Sequence, residues 1–179
     1  MLKIEIPEYE GWDEINEKFV NRKKQILTLE HSLVSISKWE SKWQKPFLSR
    51  EAKTLEETID YVRFMTLTQN VNPDVYDGLT NQNIQEVNDY IENPMSATTI
   101  RKDNSAPNRE IITSELIYYW MVAYNIPFEC QKWHLNRLLT LVRICNIKNQ
   151  PNKKLGTKEI LSRNAALNAA RRQKLNTKG

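Results

Sequence analysis

Six times along this chain a Ser, Thr or Asn stands just ahead of an apolar helical rhythm: Ser32, Thr54, Asn72, Thr80, Ser114 and Thr157. Such side chains accept hydrogen bonds from the free N–H groups of a first helical turn, so each marks a helix start. After Ser32 the apolar positions are Leu33, Ile36, Trp39, Trp43 and Phe47, with Pro46 at the stop. Thr54-Leu-Glu-Glu57 reads as a capping box ahead of Ile59, Val62, Arg63 and Met65. Asn72-Pro73 starts a short turn through Tyr76 that Gly78 ends. Thr80 opens a segment with Ile84, Val87, Tyr90 and Ile91 on one face, stopped by Pro94. Ser114 is the expected cap of the most apolar segment, ELIYYWMVAYN, closed by Asn125 and Pro127. A second long helix is expected from about Glu129 to Asn149, and the two should pair antiparallel as the core.

Strand patterns are few. LKIEI, 2–6, alternates and stops at Pro7, and ILTLEH, 26–31, is β-like again. Between them Trp12, Ile15, Phe19 and Val20 fall at helical spacing, so the spacing predicts a helix over 12–24 with a basic exit, Arg22-Lys23-Lys24. ATTI and REIIT flank a polar turn and read as a small hairpin near 97–113. Only 4 glycines occur in 179 residues, which disfavours turn-rich all-β folds and glycine-rich phosphate loops. The expected fold class is mainly α (α+β), with a small N-terminal β element and a basic C-terminal helix. Residues 1–150 form the helical domain with its N-terminal strands. Residues 151–179 form a basic linker and helix arm, with QPNKK at 150–154 as the linker.

A net charge of +4 hides a strong asymmetry. From Lys132 onward there are 12 Lys and Arg against one acidic residue, Glu159, whereas the first 131 residues carry 14 basic against 21 acidic groups. A basic end of this kind faces something anionic, or an acidic surface of the same protein or of another copy. In the last helix Arg163, Arg171, Arg172 and Lys174 spread over a polar arc, while Ala165, Ala166, Leu167, Ala169 and Ala170 leave a thin apolar face. Docking on an acidic protein groove, nucleic-acid binding and a solvated end are the three readings of that segment. The acidic remainder weighs against DNA, and no nucleic-acid reader motif is present.

No catalytic motif, metal set or cofactor motif emerges. Cys130 and His134 share a helix face at four-residue spacing, with Cys145 eleven beyond His134, and His31 is remote in sequence, so the set is incomplete for zinc. The same Cys–His pair lacks an orienting carboxylate and an oxyanion loop. Glu56 and Glu57 open a helix, where the helix dipole favours negative charge without any catalytic role. Two cysteines make no disulfide framework, which points to a reducing compartment. No apolar run reaches membrane-spanning length, and MLKIEIPEYE has no signal-peptide core. Trp39, Trp43 and Phe47 form an aromatic stripe with Lys38, Lys42 and Lys45 interspersed. It reads as a partner-binding anchor whose loss leaves the monomer folded, or as a core stripe edged by lysine stems. A stacking platform for single strands is a third reading.

The stretches SKWESKWQKPFL, TLEETIDYVRFMTLTQNV, REIITSELIYYWMVAYNIPFECQKWHLNRLLTLVRICN and RNAALNAARRQKLNTKG together resemble tailed-bacteriophage tail assembly chaperone and tail morphogenesis proteins. The resemblance runs from about Ser37 to Gly179. It implies a non-enzymatic protein of the host cytoplasm that binds phage structural proteins, the tape-measure or tail tube protein. A structural component of the tail, baseplate or neck, retained in the virion, is the alternative. Trp39, Trp43 and Phe47 would then supply apolar anchors, and Arg163, Arg171, Arg172 and Lys174 charge complementarity. A second copy of the chain is a further partner, nucleic acid a less favoured one, and no membrane is implied.

Overall fold

A computed structural model describes residues 1–13, 18–100, 111–149 and 157–176. Contacts divide the chain into two units, Met1–Asn146 and Ile147–Gly179. In the first, β1 (Leu2–Ile6) pairs antiparallel with β4 (Gln25–Leu29), Ile4 opposite Leu27. The period of two sends Ile4, Ile6, Leu27 and Leu29 into the core and leaves Ile26 on the outer face. Both edges of this two-stranded sheet are engaged. Leu67 N–H donates to the Thr28 carbonyl (2.8 Å) and Glu30 N–H to that of Met65 (2.9 Å), along the β4 edge. Asn83 Nδ2 donates to the Glu5 carbonyl (3.2 Å) at β1.

The helix expected over 12–24 is absent. Instead β2 (Tyr9–Asp13) and β3 (Lys18–Arg22) form an antiparallel ribbon, with Trp12 opposite Phe19 and Tyr9 opposite Arg22. A helix there would need a core for its apolar stripe. Trp12 is 58% and Phe19 61% exposed, so no core is on offer, and the two rings serve as a cross-strand pair instead. A lone two-stranded ribbon is only marginally stable. This one is held at its base by Arg22. The guanidinium lies over the Tyr9 ring at 5.5 Å and donates from Nη1 to the Asp74 carbonyl at 3.4 Å. It also rests on Gly78, where a Cβ would stand 2.2 Å from Arg22 Cζ. Gly78→Ala is therefore expected to evict the guanidinium. Amide exchange in β2–β3 should rise about tenfold while β1–β4 stays protected. Unchanged exchange in the ribbon would show that Arg22 does not hold it.

The helices follow their caps. α1 (Leu33–Trp43) starts at Ser32, α2 (Leu55–Met65) at the Thr54–Glu57 box, and α3 (Asn81–Glu92) at Thr80. A 3-10 turn, Pro73–Gly78, begins at Asn72. α4 (Ser114–Ala123) is capped by Thr113, one residue earlier than expected. The Ser114 N–H is occupied by the Glu40 carboxylate (2.7 Å), whose other oxygen accepts from the Phe47 N–H (2.8 Å). The Thr113 hydroxyl accepts from the Leu116 N–H (3.4 Å) as the cap, while the Ser114 hydroxyl donates to the Glu115 carboxylate (3.4 Å). The helix expected from Glu129 to Asn149 is split into a 3-10 turn, Phe128–Lys132, and α5 (Leu135–Asn149). Backbone pairing breaks it: His134 bridges to Ser32, and Leu135 N–H donates to the His31 carbonyl at 2.8 Å.

The expected α4–α5 pair is not the centre of the core. α4 packs chiefly on α1, and α1 on α2. A groove of about 350 Å³ lies along α4 and α5, lined by Ile112, Trp120, Tyr124, Leu139, Val142 and Arg143. The core itself joins the inner sheet face to Leu33, Ile36 and Trp39, Val62 and Met65, Ile117 and Met121, and Leu138. Of the hairpin expected near 97–113, the flanks Thr98–Ile100 and Ile111–Thr113 are not strand, and 101–110 lie outside the described residues. The linker at 150–154 also lies outside them. In the second unit, α6 (Thr157–Leu175) is one helix. The architecture is mainly α (α+β).

Candidate interaction surfaces and a buried polar cluster

The aromatic stripe faces inward. Trp39 is 1% exposed, with its indole N–H donating to the Glu57 carbonyl at 2.9 Å. Phe47 is buried between Trp39, edge-on at 5.1 Å, and Tyr61 at 4.1 Å. Both rings are thus core, and neither is an exposed anchor for a partner. Only Trp43 stays half-exposed, beneath Lys42 at 5.2 Å. The reason is the α1–α2 contact. Lys42 pairs with Asp60, and Lys45 with Glu57 at 2.6 Å, drawing the two helices together over the rings. Lys53 covers the remaining edge, 4.3 Å from Phe47. The Lys45 ammonium, with the Thr54 N–H, holds the Glu57 carboxyl below its ordinary range.

Sequence gave no reason to join His31 to His134, yet their rings meet at 5.1 Å. His31 sits at the end of β4, and the Ser32–His134 bridge carries His134 to it. His31 Nδ1 shares a short hydrogen bond with the Tyr61 hydroxyl. His134 Nδ1 accepts from the Asn136 N–H (3.3 Å), which assigns the proton to Nε2, the atom 3.0 Å from the Tyr90 carbonyl. The Tyr90 hydroxyl donates to Glu30 Oε1 at 2.8 Å. Burial, reinforced by His134, pushes His31 down to about 3, and burial lowers His134 as well. Burial also raises both Tyr61 and Tyr90. These side chains belong to a satisfied polar layer inside the core, where each ring nitrogen and hydroxyl named has a protein partner.

The other chemical candidates do not converge. Cys130 is buried and Cys145 half-buried, both as free thiols. Among the described residues no three His, Cys, Asp or Glu side chains are placed to hold a metal ion. Also among them, no helix is long and apolar enough to cross a membrane.

Among the described residues two exposed groups could meet a partner. One is apolar: Trp12 and Phe19 on the ribbon, then Tyr119 and Val122 on α4 and Phe128 beyond it. The other is α6, where every described side chain from Leu161 to Asn176 is exposed, including Arg171, Arg172 and Lys174. The Arg163 side chain lies outside the described residues. The exposed ribbon pair was missed in the sequence because its spacing also fits a helix. No family model, curated protein or solved structure matches the chain.

Proposed function

We propose that the chain is a non-enzymatic bacteriophage morphogenesis protein that binds other tail proteins during assembly, in the manner of a tail assembly chaperone. The observation that carries this reading is the distribution of its sticky groups. The His31–His134 cluster with Tyr61, Tyr90 and Glu30 is buried and hydrogen-bonded within itself and to backbone, while aromatic rings and a cationic helix are left outside. The sequence resemblance supplies the phage context. On this reading the protein works in the host cytoplasm, holding the tape-measure or tail tube protein through apolar contacts on the body. Arg171, Arg172 and Lys174 add charge complementarity that weakens with salt.

Mass spectrometry of purified virions beside the infected-cell lysate tests the proposal. The chain should co-purify with a tail protein from lysate and be missing from finished particles. A stoichiometric band in particles would favour a structural tail, baseplate or neck protein. A steep, linear loss of log affinity for DNA or RNA with log salt would favour a nucleic-acid binder. Deleting residues 163–179 should leave the melting of the 1–150 body unchanged and lower the yield of tailed particles. Full yield from the truncation would remove the arm from the mechanism.

A further inference from the structure

We propose that the Trp12–Phe19 ribbon is the docking surface for α6 of a second copy of this chain. Trp12 and Phe19 are direct cross-strand partners, so both rings stand on one face of the β2–β3 sheet. Among the described residues that sheet has no third strand, and the two residues are more than half exposed. With that exposure the two side chains still offer about 180–300 Å² for burial. Beside them Glu8 and Glu10 are exposed, and the sequence between Pro7 and Lys18 holds five carboxylates and no cation. At the ribbon's base Arg22 is already engaged by Tyr9, Asp74 and Gly78, and Lys24 by Glu5 at 2.7 Å.

α6 is complementary to this surface. At 100° per residue, Lys174, Leu167, Arg171, Leu175, Leu161 and Arg172 fall on one side of the helix. Ala165, Ala166, Ala169, Ala170 and Ser162 fall on the other. Three leucines and three cations share the large-residue side with Asn164 and Asn168, and no acidic residue follows Glu159. Leucine side chains cover the two rings, while the guanidinium groups reach the Glu8 and Glu10 carboxylates and the ring faces. Leu161, Leu167 and Leu175 are exposed, as are Trp12 and Phe19, and every copy of the chain carries both surfaces. Exchange of arms between two chains makes the contact twice under one two-fold axis, which doubles the buried area without a second type of interface.

Sedimentation equilibrium of the full chain over about 1–200 μM, at low and high salt, reads this out. A dimer that weakens with salt is expected. Trp12→Ala and, separately, Arg171→Glu with Arg172→Glu should each raise the dimer dissociation constant about tenfold or more. Adding Glu8→Arg and Glu10→Arg to the arm variant should recover most of that loss, since the charges are then exchanged. All altered side chains are exposed, so far-UV dichroism and the melting temperature should stay near the parent values, and retained amide protection in β2–β3 checks that the ribbon outlasts Trp12→Ala. A monomer at every concentration overturns the proposal. So does a dimer indifferent to Trp12→Ala, failure of the exchanged pair to recover, or a concentration-independent effect that places the arm on its own chain. Co-purification from lysate reads tail-protein capture separately on the unaltered chain, so a dimer that captures none and a monomer that captures one tell the two readings apart.

Discussion

Replacing Trp39 by alanine is expected to remove about 3–5 kcal/mol of stability, the range for truncating a large buried aromatic. Domains of ordinary stability hold only about 5–15 kcal/mol, so the variant should lose a large share of its stability and unfold at a much lower urea concentration. Three losses combine. The indole leaves a cavity between α1 and α2, the edge-on contact with Phe47 disappears, and the Glu57 carbonyl loses the donor at 2.9 Å. Trp43→Ala should cost far less, about 1 kcal/mol, because that ring is half-exposed and its main neighbours are the Trp39 ring at 6.4 Å and Lys42. Urea denaturation of the two single variants followed by far-UV dichroism separates them. A Trp39→Ala midpoint close to the parent's would return that ring to the surface and revive it as a partner anchor.

Acidification from pH 6.5 to 4.5 should cost about 2–3 kcal/mol through His31 alone. The folded state keeps this imidazole neutral down to about pH 3, because burial and the adjoining His134 oppose its charge, while the unfolded chain protonates it near pH 6.5. With the folded value depressed, the unfolded state binds the extra proton throughout that window. Stability therefore falls as pH falls, by about 1.4 kcal/mol for each pH unit below 6.5, and levels off only below the folded value. His134, lowered in the same direction, steepens the decline. Glu57, held below its ordinary range by Lys45, adds its own loss only as pH drops through the carboxylate range. The interval above pH 4.5 thus belongs to the histidines. His31→Gln keeps an acceptor for the Tyr61 hydroxyl and should flatten the profile there, whatever it does to stability at neutral pH. Parent and variant profiles of equal slope between pH 6.5 and 4.5 would defeat this account.

Local signals in the sequence were followed closely where local physics decides. Ser32, Thr54, Asn72 and Thr80 each cap the element that their side chain announces, because a capping hydrogen bond spans only three residues. The β1 and β4 alternation was legible for the same reason, each strand showing the core its own inner face. Distant partners decided the rest. Trp12 and Phe19 sit seven apart, a spacing shared by two helical turns and by opposite arms of a short ribbon, so the pattern alone fits both. The break before Leu135 depends on the His31 carbonyl, and the shift of the α4 cap on Glu40. Of the expected contact groups, Arg171, Arg172 and Lys174 are exposed on α6, whereas Trp39 and Phe47 went to the core. A stripe of rings edged by lysines looks alike in both settings, since lysine stems cover apolar rims wherever they occur.

The Glu40 carboxylate joins the exit of α1 to the entry of α4 across 74 residues of chain. Closing a loop of that length costs conformational freedom before any reward arrives. Until it closes, water must serve the Ser114 amide of the first α4 turn, and the helix has no fixed seat against α1. During synthesis the ribosome must release everything through α4 before α1 receives its cover, leaving the α1 surface that awaits Ile117 and Met121 bare in the meantime. Slow translation between the two helices would prolong that interval and invite misassociation, a hazard written into the order of the chain rather than into its finished form.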